Sequence, residues 1–249
     1  MDDGSMRTSV VAACDAVAQT YGYDITSVGP ARLKWELLRQ HVRPEDRVLD
    51  IGCANGIHMH IISLHCRQIE GIDISQGMLD QARVKLTDLG YLNARLHLAS
   101  AESLPFGDQS FDLLYSFSTL LLVPDIMATF REISRVLRPQ GIAILDITGR
   151  WNLSRFHWNR YWRDQGHFGI HAYSWREITQ TLGEHGLTIT EAHASGLTDQ
   201  WKYLPFLHRF SAIGRLFHDG TTRDRDYRLS NRPMMRRFAN RWYIVARKG

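Results

Sequence analysis

Asp50, Gly52, Ala54 and Gly56 place a carboxylate at the entrance of a turn in which two positions carry no Cβ and a third carries only a methyl group. Such a turn lets the backbone pass close to a ligand without obstruction. Two phosphate-binding patterns are absent: the dinucleotide fingerprint G-x-G-x-x-G, and the P-loop with its Lys-Ser or Lys-Thr pair. A carboxylate at the mouth repels phosphate and attracts an ammonium or sulfonium group. Asp73 follows about 20 residues after the loop, the distance at which an acid accepts hydrogen bonds from a ribose diol.

These groups need a scaffold, and the flanking sequence supplies one. Residues 47 to 51 read as a short apolar strand, bounded by Pro44-Glu45-Asp46 before it and by glycine after it. His58 to His65 has helical potential, and the run from Gln68 to Ser75 reads as a second strand with Asp73 at its carboxyl end. Strand, glycine turn and helix in this order build the nucleotide crevice of a doubly wound α/β domain, with ligands outside the carboxyl ends of the strands.

With these residues in place, the chain resembles the class I S-adenosylmethionine-dependent methyltransferases, in particular the small-molecule subgroup that includes quinone biosynthesis. Asp50, Gly52, Ala54 and Gly56 match the first motif, with Ala54 where a glycine is commonest. Asp73 and Ile74 fall at the ribose-binding strand end, and Met78 where an apolar side chain covers the adenine. Ser100, Ala101 and Glu102 match the adenine-edge segment, Ser100 standing where Asp is usual. Phe111 to Ser116 matches the fourth strand. Leu137-Arg138-Pro139-Gln140-Gly141 matches the turn into the fifth, with Gln140 where glycine is usual.

These motifs cover roughly residues 45 to 147. The resemblance implies a Rossmann-like seven-stranded sheet with an antiparallel seventh strand, N-terminal helices, and S-adenosyl-L-methionine as cofactor. It also implies cofactor contacts from Tyr21, Asp50, Gly52, Ala54, Gly56, Asp73, Ile74, Met78, Ser100, Ala101, Glu102 and Ser116.

The 249 residues suit one α/β domain with additions. We expect a helical cap over 1–44, a cofactor-binding core over 45–195 and 241–249, and a lid insertion over 196–240. No stretch approaches the ~20 apolar residues of a membrane span. The start Met1-Asp2-Asp3-Gly4 lacks the positive region of a signal peptide, so a cytoplasmic location is expected. Three cysteines with no ligand spacing read as reduced thiols, and no metal is assigned.

Charge is unevenly distributed. Residues 1–150 carry 14 Lys and Arg against 18 Asp and Glu, whereas residues 151–249 carry 16 against 8 and six of the seven tryptophans. Two basic aromatic segments, 148–173 and 196–240, follow strands five and six. They therefore start at the active-site end of the sheet, where they are expected to cover the acceptor. Trp151, Trp158, Trp162, Trp201 and Tyr203 are the expected substrate-binding aromatics.

An oxygen nucleophile usually needs a base, and His171, Tyr173, His167 and His157 are the candidates, with His171 ranked first. The expected reaction is methylation of oxygen or nitrogen on a small acceptor with an anionic group: a phosphorylated sugar, a glycolipid or an acidic aromatic metabolite. Peripheral membrane contact is compatible with the basic aromatic segments. Rival readings are a nucleic-acid methyltransferase, disfavoured because no N-P-P-Y-type motif follows strand four, and a cofactor-binding partner protein without activity. The oligomeric state is not legible in the residues.

Overall fold

A computed structural model of the chain describes residues 3–18, 29–88, 90, 92–164, 169–197, 200 and 220–249. Seven strands form one sheet: β1 (Arg47–Ile51), β2 (Gln68–Asp73), β3 (Ala94–Leu98), β4 (Phe111–Ser116), β5 (Leu137–Thr148), β6 (Leu187–Ser195) and β7 (Arg241–Lys248). Their order is β3-β2-β1-β4-β5-β7-β6, with β7 antiparallel to both neighbours and the other pairings parallel. This is the expected doubly wound sheet. β1, β2 and β4 are buried along nearly their whole length, as parallel strands covered on both faces must be.

Helices cover both faces. Buried Leu37 and Leu38 of α2 (Gly29–His41), Met59 and Ile62 of α3 (Met59–Ile62) and Leu79 and Leu86 of α4 (Gln76–Asp88) pack on one side. On the other side lie Phe130, Ile133 and Val136 of α5 (Ile126–Val136) and Ile178 and Leu182 of α7 (Trp175–Glu184). Full burial of each such side chain contributes about 1.5–3 kcal/mol. Helix α7 begins in a capping box in which the Glu177 amide donates to Ser174 and the Ser174 amide to Glu177.

Gly29-Pro30 opens α2, consistent with the tolerance of proline in a first helical turn. The helix expected over His58–His65 is only the single turn α3. The run from Trp151 to Arg163 is largely helical, as α6 (Ser154–Asp164). Strand β5 starts at Leu137, and a bulge accommodates Arg138 to Gly141: the register jumps from Phe111–Leu137 to Leu113–Ile142, with Gln140 at φ +65° in place of the usual glycine.

The N-terminal helix α1 (Asp3–Val17) docks on α4, where Asp15 accepts from the Ser75 hydroxyl and from the Gly77 amide at 3.0 Å. In the 196–240 segment, the described part comprises α8 (Gly220–Ser230) and a 3₁₀ turn, Arg236–Phe238. Asn231 exchanges two hydrogen bonds with the Ala194 backbone and Asp226 accepts from the Gly196 amide, so this part is fastened along edge strand β6. Among the described residues no helix is long and apolar enough to cross a membrane.

Candidate active site

A cavity of about 450 Å³ opens at the carboxyl ends of β1, β2, β4 and β5, within the size range of small-molecule sites. Its first half is the glycine loop. Gly52, Ala54 and Gly56 have φ values of +77°, +48° and +72°, so alternate residues are left-handed and the chain doubles back tightly. A Cβ on Gly52 would run into the Thr119 side chain, which makes glycine obligatory there. Ala54 tolerates this conformation at a cost of about 1–2 kcal/mol. Its amide is held by Asp73 Oδ2 at 2.9 Å, which offsets part of that cost.

Asp73 ends β2 at the cavity wall. Its other oxygen accepts the Ser75 amide at 2.9 Å, so one carboxylate fixes both the glycine loop and the start of α4. Burial raises its pKa, while the Ser75 and Ala54 N–H groups oppose the rise. Each oxygen is aimed by one bond and keeps a lone pair for a hydroxyl. Ile74, Met78, Ser100, Ala101 and Glu102 line the same half. Glu102 accepts from the Ser100 hydroxyl at 2.9 Å and the Asp125 amide at 2.6 Å, tying two loops together.

The second half is walled by Phe117, Leu121, Leu122 and Val123 and, from α6, by Trp158, Tyr161 and Trp162. Val10, Ala13 and Cys14 of α1 also reach the cavity, so α1 and α6 are its covers among the described residues. Arg241 is the cationic side chain on this wall among the described residues. Asp146 Oδ1, 1% exposed, accepts the Ser118 amide at 2.8 Å and Arg241 at 3.5 Å. Asp146 Oδ2 faces Lys34 at 3.9 Å. One carboxylate thus stands between two cations, and the cluster presents a positive end to an otherwise apolar chamber. Burial lowers the Lys34 pKa, with Asp146 opposing. Ser118 itself is left-handed, at φ +60°.

Sequence-predicted residues divide accordingly. Gly52, Ala54, Asp73, Ile74, Met78, Ser100, Ala101, Glu102, Trp158 and Trp162 converge on the cavity. Asp50 does not: β1 turns it toward the α2 face, 2% exposed, where burial drives its pKa up to about 8. It is not among the residues lining the cavity. Gly56 packs against Ala82 of α4, and the buried Ser116 hydroxyl donates to Ile51 O at 2.9 Å. Neither lines the cavity. Trp151, 59% exposed, lies away from it as well.

His171 acts on the wall rather than in the chamber. Its ring bonds Val123 O through Nε2 at 2.8 Å and its amide donates to Leu121 O at 2.8 Å, clamping the 121–123 wall. Tyr173 bridges to Gly149 and burial raises its pKa to about 12, while His157 is exposed on α6. Neither is among the residues lining the cavity. Tyr21, His167, Trp201 and Tyr203 lie outside the described residues.

Sequence reasoning missed Tyr161, the 117–124 wall and Arg241. The available signal was topological. Residues after β4 must pass the ligand end of the sheet, and an antiparallel β7 must begin there.

Comparison with known proteins agrees with this geometry. Residues 49–145, the stretch holding the glycine loop, Asp73 and the adenine-edge segment, match the methyltransferase domain family. That match takes in less than half of the chain. A ubiquinone/menaquinone biosynthesis C-methyltransferase of Rickettsia massiliae is 36% identical to this chain over 126 residues, covering 47% of this chain and 51% of the relative. The chain therefore spans about half the length of the curated relatives it matches.

Among solved structures, the Haloferax volcanii complex of the Trm112 activator with a methyltransferase matches over 97% of this chain and 96% of that one, at TM-score 0.68 and 19% identity. The geranyl diphosphate C-methyltransferase of Streptomyces coelicolor A3(2) matches over 88% and 79%, at TM-score 0.61 and 20% identity. At these identities the likeness is one of fold. The Asp73 carboxylate, the glycine loop and Met78 stand around one half of the cavity, a donor set that fits a nucleoside.

Proposed function

We propose that the protein transfers a methyl group from S-adenosylmethionine to a small, flat, acidic acceptor, an aromatic metabolite rather than a phosphorylated sugar or glycolipid. The observation that carries this is the second half of the cavity, where Trp158, Tyr161 and Trp162 meet the single described cation Arg241. Aromatic side chains stack on flat rings, and a guanidinium fork binds a carboxylate or phenolate bidentately.

In this reading Asp73 holds the ribose diol, Met78 and Ile74 cover the adenine, and Gly52 and Ala54 let the cofactor approach the backbone. Bound there, the cofactor supplies a sulfonium methyl group open to in-line displacement. Arg241, oriented by Asp146, anchors the acceptor's anionic group, while the α6 aromatics fix the plane of its ring. Helices α1 and α6 exclude water. Such positioning lowers barriers by about 7–11 kcal/mol in well-oriented model reactions.

The methylated atom is oxygen or nitrogen in our primary reading. Ring carbon is a second reading, favoured by the relative named as a C-methyltransferase. An acceptor panel with labelled cofactor tests both. We expect turnover of hydroxylated aromatic acids or quinols, and a Trp158→Ala variant with acceptor KM raised about tenfold and S-adenosylhomocysteine affinity kept within twofold. Turnover of phosphorylated sugars alone, or an unchanged KM in Trp158→Ala, would contradict the reading.

A further inference from the structure

A second cleft, of about 360 Å³, lies at the opposite, amino-terminal end of the parallel strands, and it is lined by arginines. Arg47 opens β1, Arg67 precedes β2, Arg95 lies at the start of β3 and Arg138 in the β5 bulge; Gln68 and Asn93 complete the polar wall. Strand register brings them together. Arg47 pairs with Gln68 and Glu70 with Arg95, and residues paired in adjacent parallel strands share a face of the sheet. The ligand end of a doubly wound sheet is the carboxyl end, so this cleft is separate from the methyl-transfer cavity.

The local charge does not balance. Arg47 bonds Glu70 at 3.1 Å and Arg138 bonds Asp112 at 2.5 Å. Those two carboxylates are further engaged, Glu70 by His97 at 2.6 Å and Asp112 by the Arg47 amide at 2.8 Å. Arg67 and Arg95 have no ion pair among the described residues, and both are exposed. Arg47 Nε is in addition buried without an acceptor. Four guanidiniums against two carboxylates leave an excess of about two positive charges facing one hollow. Arg47 is braced on Phe111, its guanidinium 4.9 Å from the ring centre, so one fork is fixed before a ligand arrives.

We propose that this cleft is a second binding site, for a phosphate monoester group. Such a group carries about −1.5 to −2 charges near neutral pH and three acceptor oxygens, matching two uncompensated guanidinium forks. The ester is carried either by a soluble metabolite or by a lipid headgroup, and the shared chemistry is the phosphate.

The test uses the full chain. Calorimetric titration with inorganic phosphate at low ionic strength should show binding, weakened at least tenfold in an Arg67→Gln/Arg95→Gln variant. Affinity for S-adenosylhomocysteine should stay within twofold. Each single variant should weaken phosphate binding about threefold or more, which keeps the test open if the double variant fails to fold. Co-sedimentation with phosphatidic acid vesicles, against phosphatidylcholine vesicles, separates the sources. Loss of sedimentation in the same variants identifies a lipid headgroup, and phosphate binding without sedimentation identifies a soluble ester. The proposal is overturned if the wild type binds neither probe, or if the variants bind as the wild type does.

Discussion

Asp50 should make the stability of this protein fall as pH rises through the neutral range, and Asp50→Asn should abolish that dependence. The carboxyl is 2% exposed and its Oδ2 has no hydrogen-bond partner. Burial is the main cause lifting its pKa from 3.8 to about 8, and Asp73 adds to it. The Tyr115 hydroxyl and Lys34 act in the opposite sense. The folded protein therefore holds a proton between about pH 4 and pH 8 that the unfolded chain has released. The resulting stabilisation is complete below the unfolded pKa and is lost as pH rises through the folded one.

At about 1.4 kcal/mol per pH unit, a gap of roughly four units amounts to about 6 kcal/mol at most. Asparagine keeps the shape without the proton equilibrium. Urea unfolding of both proteins at pH 5, 6, 7 and 8 measures the difference directly. The advantage of Asp50→Asn should grow by about 1.4 kcal/mol per unit from pH 5 to 7 and by less from pH 7 to 8, as the folded carboxyl ionises. A difference that does not change with pH, or a variant less stable than wild type at pH 8, would refute a buried, protonated Asp50.

Three further perturbations probe the site. Gly52→Ala forces a methyl group into Thr119 at a positive φ, so it should cost about 1–3 kcal/mol in thermal unfolding and remove measurable cofactor binding by calorimetry. His171→Ala loses the bond to Val123 O while its backbone bond to Leu121 remains, so stability should drop by about 1 kcal/mol. Single-turnover methylation should fall less than tenfold with an unchanged pH profile; loss of the acidic limb of that profile would restore His171 as a base. Trp158→Ala should act on acceptor KM alone, as set out above.

Much of the fold was legible because parallel strands buried on both faces announce themselves as short apolar runs, and β1, β2 and β4 lie where those runs stand. The S-x-x-E cap at Ser174 marks the start of α7, since both of its bonds are local. Helix α6 was not legible. Its face mixes Trp158, Tyr161 and Trp162 with arginines, and tertiary placement over the cavity, rather than an apolar stripe, decides its conformation.

The site followed the same division. Asp73 and the glycine loop declare themselves by spacing, because one short turn must do the binding. Asp50 misled because strand alternation, not motif membership, determines which side a side chain takes, and here it points into the α2 face. Arg241 belongs to a strand that is last in sequence and sixth in the sheet. Its meeting with Asp146 is a product of topology that no local pattern records.

The central claim is that the cavity holds S-adenosylmethionine by way of Asp73, and calorimetry with S-adenosylhomocysteine tests it most directly. Wild type should bind one equivalent. Asp73→Ala should lose about 2–4 kcal/mol, because two charge-assisted hydrogen bonds to the ribose diol go with the carboxylate. Thermal unfolding without ligand reports separately on the lost bonds to Ala54 and Ser75. A wild type that does not bind, or an Asp73→Ala variant that binds as tightly as wild type, would contradict the account.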